Sequence, residues 1–275
     1  MEKRSILLFI FIYLFSIPTA FAWGGKDDYK LVWKETFKGK SINSNYWSKI
    51  PRGTSDWKRY MSDHPSLYET KSGKLILHGV ENKGIAAEDT ARFLTGGIFT
   101  KGKFSIKYGK VEVRAKLEAA QGVWPAIWML PEKGKWPDAG EIDIMERLNH
   151  DDFVYQTVHT YYTHTLNEKK NPVHTAKALI NTEKYNVYAV EILPDKIVFS
   201  VNGQITHTYP KIETNKQGQF PSGTPYYILI DMQIEGKWVG KAKTEELPAK
   251  MKIDWVKVYE RKMYSKKKKK TNNYF

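Results

Sequence analysis

Residues 136–147 read Trp-Pro-Asp-Ala-Gly-Glu-Ile-Asp-Ile-Met-Glu-Arg and set three carboxylates, Glu141, Asp143 and Glu146, among large apolar side chains. Glu141, Ile142, Asp143 and Ile144 alternate with period two, so in a β-strand both acids face one side and both isoleucines the other. Glu146 breaks that rhythm. Strict alternation puts position 145 beside the first two acids, but Met145 stands there, and one extra residue absorbed as a β-bulge is needed to return Glu146 to the acidic face. An ordinary amphipathic strand shows similar alternation. Three like charges facing one way repel each other, however, and a sequence selected for stability alone would intersperse Lys or Thr on such a face.

With the bulge absorbed, the two glutamates stand about 13 Å apart along the backbone. Side chains leaning towards each other bring the carboxyl groups to about 5–6 Å, the separation used in retaining glycoside hydrolysis and short for inverting.

Outward from this stretch, the chain reads as β throughout. Residues 29–37, 74–80, 97–100, 103–107 and 110–117 are short, β-branched and punctuated by glycine, as in an all-β sandwich. Residues 111–117 alternate cleanly, which predicts one core face and one wet face. Residues 122–131, Gly-Val-Trp-Pro-Ala-Ile-Trp-Met-Leu-Pro, are too apolar for that and predict a strand buried on both sides. In it Trp124 and Trp128 share a face; Trp124 points to a cleft, while Trp128 also fits a plain core strand. Residues 154–160, 186–193, 197–202, 226–234 and 252–259 supply further strands, with a hairpin turn at Asn202-Gly203. Residues 163–170 are polar, lack a helical period and run into Asn171-Pro172, which predicts a loop. No repeat or linker divides the chain, so one domain spans residues 23–261.

The 275 residues contain no cysteine, which removes disulfides, thiolate metal sites and thiol nucleophiles. Nine Trp and seventeen Tyr exceed what a core of this size needs and suit stacking on sugar rings, whose C–H faces are apolar. Lys3 and Arg4 precede an apolar run over residues 6–17, and Ala20-Phe21-Ala22 closes it, so residues 1–22 read as a secretory signal peptide, too short in its apolar part to span a bilayer. The protein is therefore expected to be exported, to the periplasm, cell surface or medium, with no membrane span. Half of the formal net charge of +14 comes from Arg261, Lys262 and the five lysines at 266–270, and residues 262–275 read as a disordered basic tail. That tail lacks interleaved aromatics, which argues against a nucleic-acid partner. The moderately basic body suits an anionic glycan.

Four blocks in order, residues 108–116 (Tyr-Gly-Lys-Val-Glu-Val-Arg-Ala-Lys), 122–131, 136–146 and 254–259 (Asp-Trp-Val-Lys-Val-Tyr), resemble glycoside hydrolase family 16 across nearly the whole domain. The resemblance implies a β-jelly-roll, concanavalin-like, of two curved antiparallel sheets with an open cleft on the concave face. It implies Glu141 as nucleophile, Glu146 as general acid/base and Asp143 as the acid supporting the nucleophile. Trp124, Trp128, Trp136 and His159 are the implied substrate contacts, although a satisfied core histidine is the alternative at 159. No cofactor is implied. A structural calcium held by Glu35 and Asp254 is a further expectation, with an ordinary surface pair as the alternative. The partner is a glycan and the protein is expected to be a monomer.

The bulged Glu-x-Asp-x-x-Glu pattern is similar to the laminarinase, agarase and endo-galactosidase side of the family. The Arg147-Leu148-Asn149-His150 run after Glu146, and Asn186 and Ile192 where the family often carries His and Trp, depart from many laminarinases. Together with residues 154–162 they favour internal β-galactosyl bonds of mucin-type O-glycans or poly-N-acetyllactosamine over plain β-1,3-glucan. A non-catalytic glycan-binding sandwich would be expected to lack one glutamate. A transglycosylase would use the same acids, and a metal hydrolase built on His159 and His164 is disfavoured because five residues of strand separate them onto opposite faces.

Overall fold

The computed structural model describes residues 28–221 and 223–262. The expected signal peptide and all but the first residue of the basic tail lie outside the described residues. Within them the chain forms strands β1 (Tyr29–Glu35), β2 (Ser48–Lys49), β3 (Tyr68–Lys71), β4 (Lys74–Glu81), β5 (Phe93–Thr95), β6 (Gly97–Phe99), β7 (Gly109–Leu117) and β8 (Val123–Pro131). Then follow β9 (Glu141–Glu146), β10 (Phe153–His159), β11 (Thr175–Leu179), β12 (Asn186–Ile192), β13 (Lys196–Val201), β14 (Gln204–Pro210), β15 (Tyr226–Ile234) and β16 (Ala249–Arg261).

These strands make two antiparallel sheets in a jelly-roll sandwich. One runs β14-β13-β12-β7-β16-β4-β3, with β1 added on β16 and β5 on β4; the other runs β11-β10-β9-β8-β15-β6-β2. The core between them is fed by alternation. On β7, Val111, Val113, Ala115 and Leu117 are buried while Lys110, Glu112, Arg114 and Lys116 face outward. On β15, Ile228, Ile230, Met232 and Ile234 enter the core, and each such fully buried side chain contributes about 1.5–3 kcal/mol by leaving water. Among the described residues, no helix is long and apolar enough to cross a membrane.

Two sequence expectations fail locally. Residues 103–107 do not form a strand, because Lys103 and Phe104 both donate backbone N–H to the Thr100 carbonyl and turn the chain, leaving only Ile106 to bridge Tyr226. Residues 161–165, part of them read as loop, wind into a single π turn (Tyr161–Thr165), whose start is capped reciprocally by Thr160 and Thr163. The strand β11 is recruited only by pairing with β10 and carries little alternation of its own.

The bulge falls where β9 needs it. Met145 pairs with Ile127 and Asp143 with Trp128 on β8, while on β10 Glu146 faces Tyr155 and Asp143 faces Thr157. Ile144 and Met145 together therefore oppose the single residue Gln156. Both point into the core and are fully buried, so Glu146 returns to the side of Glu141 and Asp143. Gln156, itself fully buried, donates through Nε2 to the Ile144 carbonyl at 3.2 Å and accepts from the Thr206 hydroxyl of β14 at 2.5 Å. It thus ties the bulge to the opposite sheet. Replacing it by Leu removes the partner of the buried Ile144 carbonyl and of the half-buried Thr206 hydroxyl, and Gln156→Leu is expected to lower stability by about 1–3 kcal/mol, read as a lower urea midpoint with an unchanged m-value.

Candidate active site

Cross-strand partners share a face, so the registers above define one surface. Trp124, Ala126, Trp128 and Leu130 of β8, the three acids of β9, and Leu229, Asp231 and Gln233 of β15 all lie on it. Trp124, Trp128, Trp136, Glu141, Asp143 and Glu146 line one cleft of about 420 Å³, joined by Ser55, Trp57, Leu130 and Gln233. Six of the seven site residues anticipated for substrate or chemistry therefore meet in one place. His159, the seventh, pairs with Glu141 across β9–β10 and sets Nε2 3.3 Å from Asp143 and 3.9 Å from Glu141. A larger hollow of about 830 Å³ lies elsewhere around residues 42–52 and 61–63, and its Asp89 is already clasped by both terminal nitrogens of Arg52.

Each wall has a physical origin. Gly140 enters β9 at φ +90°, a region where a side chain is strained, and a Cβ there would lie 2.6 Å from the Tyr226 hydroxyl. That hydroxyl donates to the Ala139 carbonyl, pinning the turn that delivers Glu141. Trp136 remains half exposed, its ring edge-on to His164 at 4.4 Å. His164 rides on the π turn, which brings its ring within 6.4 Å of His159. Strand spacing would have placed the two on opposite faces; the chain leaves the strand at Thr160 instead. Trp128 is 5% exposed, packs edge-on against Trp57 at 4.7 Å and donates to Asp231 at 2.9 Å, so it is cleft floor and core at once.

Burial dominates the electrostatics. Glu141, Asp143 and Glu146 are 17%, 2% and 8% exposed. Burial raises Glu146 well above the ordinary carboxylate range, and the charges of Asp143 and Glu141 raise it further; the Trp124 indole, donating at 3.0 Å, only partly offsets this. Glu141 is also raised, by burial and then by Asp143, but His159 and the Trp136 indole pull it back. Burial disfavours charge on His159 too, yet the hydrogen bond and charge of Asp143, with the charge of Glu141, outweigh it and lift His159 to about 9. The proton thus sits most firmly on Glu146, and Glu141, pushed up to about 8 but beside His159, is the one of the two glutamates that ionises more readily.

Glu141, Asp143 and His159 also form, among the described residues, the grouping of three side chains close enough to share a metal, their ligand atoms within 4.8 Å of one another. A protonated imidazole has no lone pair to give a metal, and its positive charge offsets one of the two carboxylates beside it. The calcium expectation fits less well. Asp254 is paired with Arg114 through Oδ2, while Glu35 accepts through Oε1 from the backbone N–H groups of Thr36 and Phe37 at 2.7 and 2.8 Å, so the two carboxylates are held by separate protein partners. The residues after Glu146 are likewise structural. Arg147 is buried and donates to the Asp151 and Leu117 carbonyls, Asn149 accepts from the Gly122 N–H, and His150 pairs with Glu246. They tie down the strand end.

The family model for glycosyl hydrolases family 16 matches residues 61–257, and the chain belongs to that family. It is 35% identical over 243 residues to a keratan-sulfate endo-1,4-β-galactosidase of Sphingobacterium multivorum, covering 86% of this chain and 57% of that protein, so it spans little more than half of that relative. Among solved structures, SCLam, a non-specific endo-β-1,3(4)-glucanase, superposes with a TM-score of 0.77 at 25% identity, covering 88% of this chain and 94% of SCLam. A second, described by the words "Prominent members of the human gut microbiota express endo-acting O-glycanases to initiate mucin breakdown", has a TM-score of 0.71 at 27% identity, covering 83% of this chain and 98% of that one.

Sequence reasoning missed three groups in and around the cleft: Gln233 in its lining, Asp231 beneath Trp128, and Trp238 beside Trp124. The first two were readable, since Ile-Asp-Met-Gln-Ile within β15 repeats the alternation of β9. Asp231 is fully buried, accepts from Trp128 and from Gln233 Nε2 (2.8 Å), and is pushed up to about 7 by burial despite those two donors. A carboxyl raised in the folded state opposes folding progressively as pH rises from its ordinary value towards its native one, because the unfolded chain ionises first. Asp231→Asn is therefore expected to flatten the loss of stability between about pH 4 and pH 7, measured as urea midpoints across that range.

Proposed function

We propose that the protein is an exported, endo-acting retaining β-glycosidase that cuts internal β-galactosyl bonds of mucin-type O-glycans or poly-N-acetyllactosamine. The observation that carries the chemistry is the placement of Glu141 and Glu146 on one face across the bulge, with His159 beside only the first. Glu141 attacks the anomeric carbon, while Glu146, the more strongly proton-holding of the two, protonates the departing glycosidic oxygen. A covalent glycosyl-enzyme forms. Glu146, now ionised, takes a proton from water as that water attacks the anomeric carbon, and the configuration is retained. Asp143 holds His159 at 3.3 Å, which keeps a positive charge beside Glu141 and favours its ionised form.

The galactosyl preference is supported by the identity to the keratan-sulfate endo-1,4-β-galactosidase and by the likeness to the O-glycanase structure. Export is supported by the character of residues 1–22. The structural likeness to SCLam favours a second reading, an endo-β-1,3-glucanase of the laminarinase type. Digesting laminarin, agarose, keratan sulfate and porcine mucin side by side separates them: oligosaccharides released from mucin or keratan sulfate with laminarin untouched support the first, and the reverse overturns it.

Two substitutions test the roles. Glu141→Gln is expected to lower turnover about 10⁴-fold or more while glycan binding survives; undiminished hydrolysis would refute the assignment. Glu146→Gln is expected to lower kcat about 10²–10⁴-fold and, because the wild-type carboxyl is raised, to increase stability by an amount that grows as pH rises above the ordinary glutamate value. The wild-type rate should fall at alkaline pH as Glu146 loses its proton and at acid pH as Glu141 gains one, giving a bell-shaped profile.

A further inference from the structure

Beyond the cleft, a line of aromatic rings continues from its wall. Trp124 lies 5.2 Å from Trp238, Trp238 lies 5.0 Å from Tyr155, and Tyr155 lies 5.3 Å from Phe153, all centroid to centroid. Trp238 is 47% exposed, an unusual state for so large an apolar ring. The registers explain how the row meets the acids. Glu146 faces Tyr155 across β9–β10, and Tyr155 faces Lys177 across β10–β11, so Glu146, Tyr155 and Lys177 form one rung on the cleft face. Two strand spacings, about 10 Å, separate the acid from the lysine.

Lys177 closes the row. Its Nζ stands 4.2 Å over the Phe153 ring and 5.3 Å over Tyr155, it is exposed, and no ion pair to it occurs among the described residues. A cation held over two rings and left without a carboxylate keeps its hydrogen-bond donors for an outside acceptor. Sugar rings lie on aromatic faces, and a sulfate ester or sialic acid carboxylate on such a ring would meet the ammonium. We propose that Trp238, Tyr155, Phe153 and Lys177 form a distal subsite that binds an anionic sugar unit of the glycan being cut at Glu141 and Glu146. The occupant follows from continuity with the cleft through Trp124 and from the unpaired positive charge at the far end. This subsite rests on the galactosyl reading only for the identity of the sugars it is tested with.

The test compares oligosaccharides of equal length: neutral poly-N-acetyllactosamine, its sulfated keratan counterpart and a sialylated counterpart. Wild-type protein is expected to show a lower KM for at least one anionic series, the sulfated and sialylated arms telling which anion is read. Lys177→Gln is expected to raise that KM about two- to fivefold, the range of an exposed ion pair, with kcat and the neutral series unchanged. Trp238→Ala is expected to raise KM about tenfold for long chains but not for the shortest substrate cleaved, which does not reach the row. Equal KM for neutral and anionic chains, or an anionic preference that survives Lys177→Gln, overturns the proposal. A protein that cuts laminarin and no galactosyl glycan overturns the galactosyl reading instead; sulfated against neutral laminarin then tests the subsite, with the same two outcomes.

Discussion

Ile144 and Met145 are neighbours in sequence, yet both side chains enter the space between the sheets, which a regular strand forbids. Everything at the site depends on how that conflict is resolved. The core demands both apolar groups, the extra residue is accommodated against Gln156, and the strand resumes with Glu146 on the side of Glu141 and Asp143. Had the two residues alternated, Glu146 would have been driven into the core without a partner, at a cost far above the stabilisation gained from the apolar face. The bulge is thus enforced by hydrophobic burial, and the spacing of the two glutamates follows from it.

That placement gathers four carboxylates, Glu141, Asp143, Glu146 and Asp231, out of water on one face. Among the described residues, the cation paired with them is His159, and it stands at one end. Asymmetry of this kind is what lets identical side chains serve as acid and as nucleophile: the environment, and not the residue type, sets which one keeps its proton. The indoles of Trp124 and Trp128 contribute as donors as well as walls, each satisfying one acid.

Much of this was readable from residue order alone. The period-two alternation of β7, β9 and β15, the break at position 145 and the tryptophans at 124, 128 and 136 all carry their meaning locally, and the structure collects them on one cleft. What was not readable depends on tertiary partners. Strand β11 exists because β10 offers it an edge. The π turn at Tyr161–Thr165 exists because two threonines cap each other, and it moves His164 to a place that strand periodicity denies it. Residues 147–150 stood out in the sequence as a departure from many laminarinases, and only the structure shows that their polar groups satisfy backbone and a neighbouring glutamate. Trp238 lies in a loop far along the chain from the acids, and no local pattern connects it to Trp124.

The Gln156 side chain has a mechanical meaning beyond its hydrogen bonds. It is a strut, anchored on Thr206 in one sheet and on the bulge carbonyl in the other. Elsewhere the two sheets meet mainly through apolar contacts, which have no preferred direction, with further polar ties from the Tyr68 hydroxyl to Gly97 and from Arg147 to the Leu117 carbonyl. The directional link at Gln156 holds the bulge of β9 to the facing sheet more firmly than apolar packing alone. Sliding of one sheet over the other is therefore resisted at the point that sets the spacing of Glu141 and Glu146.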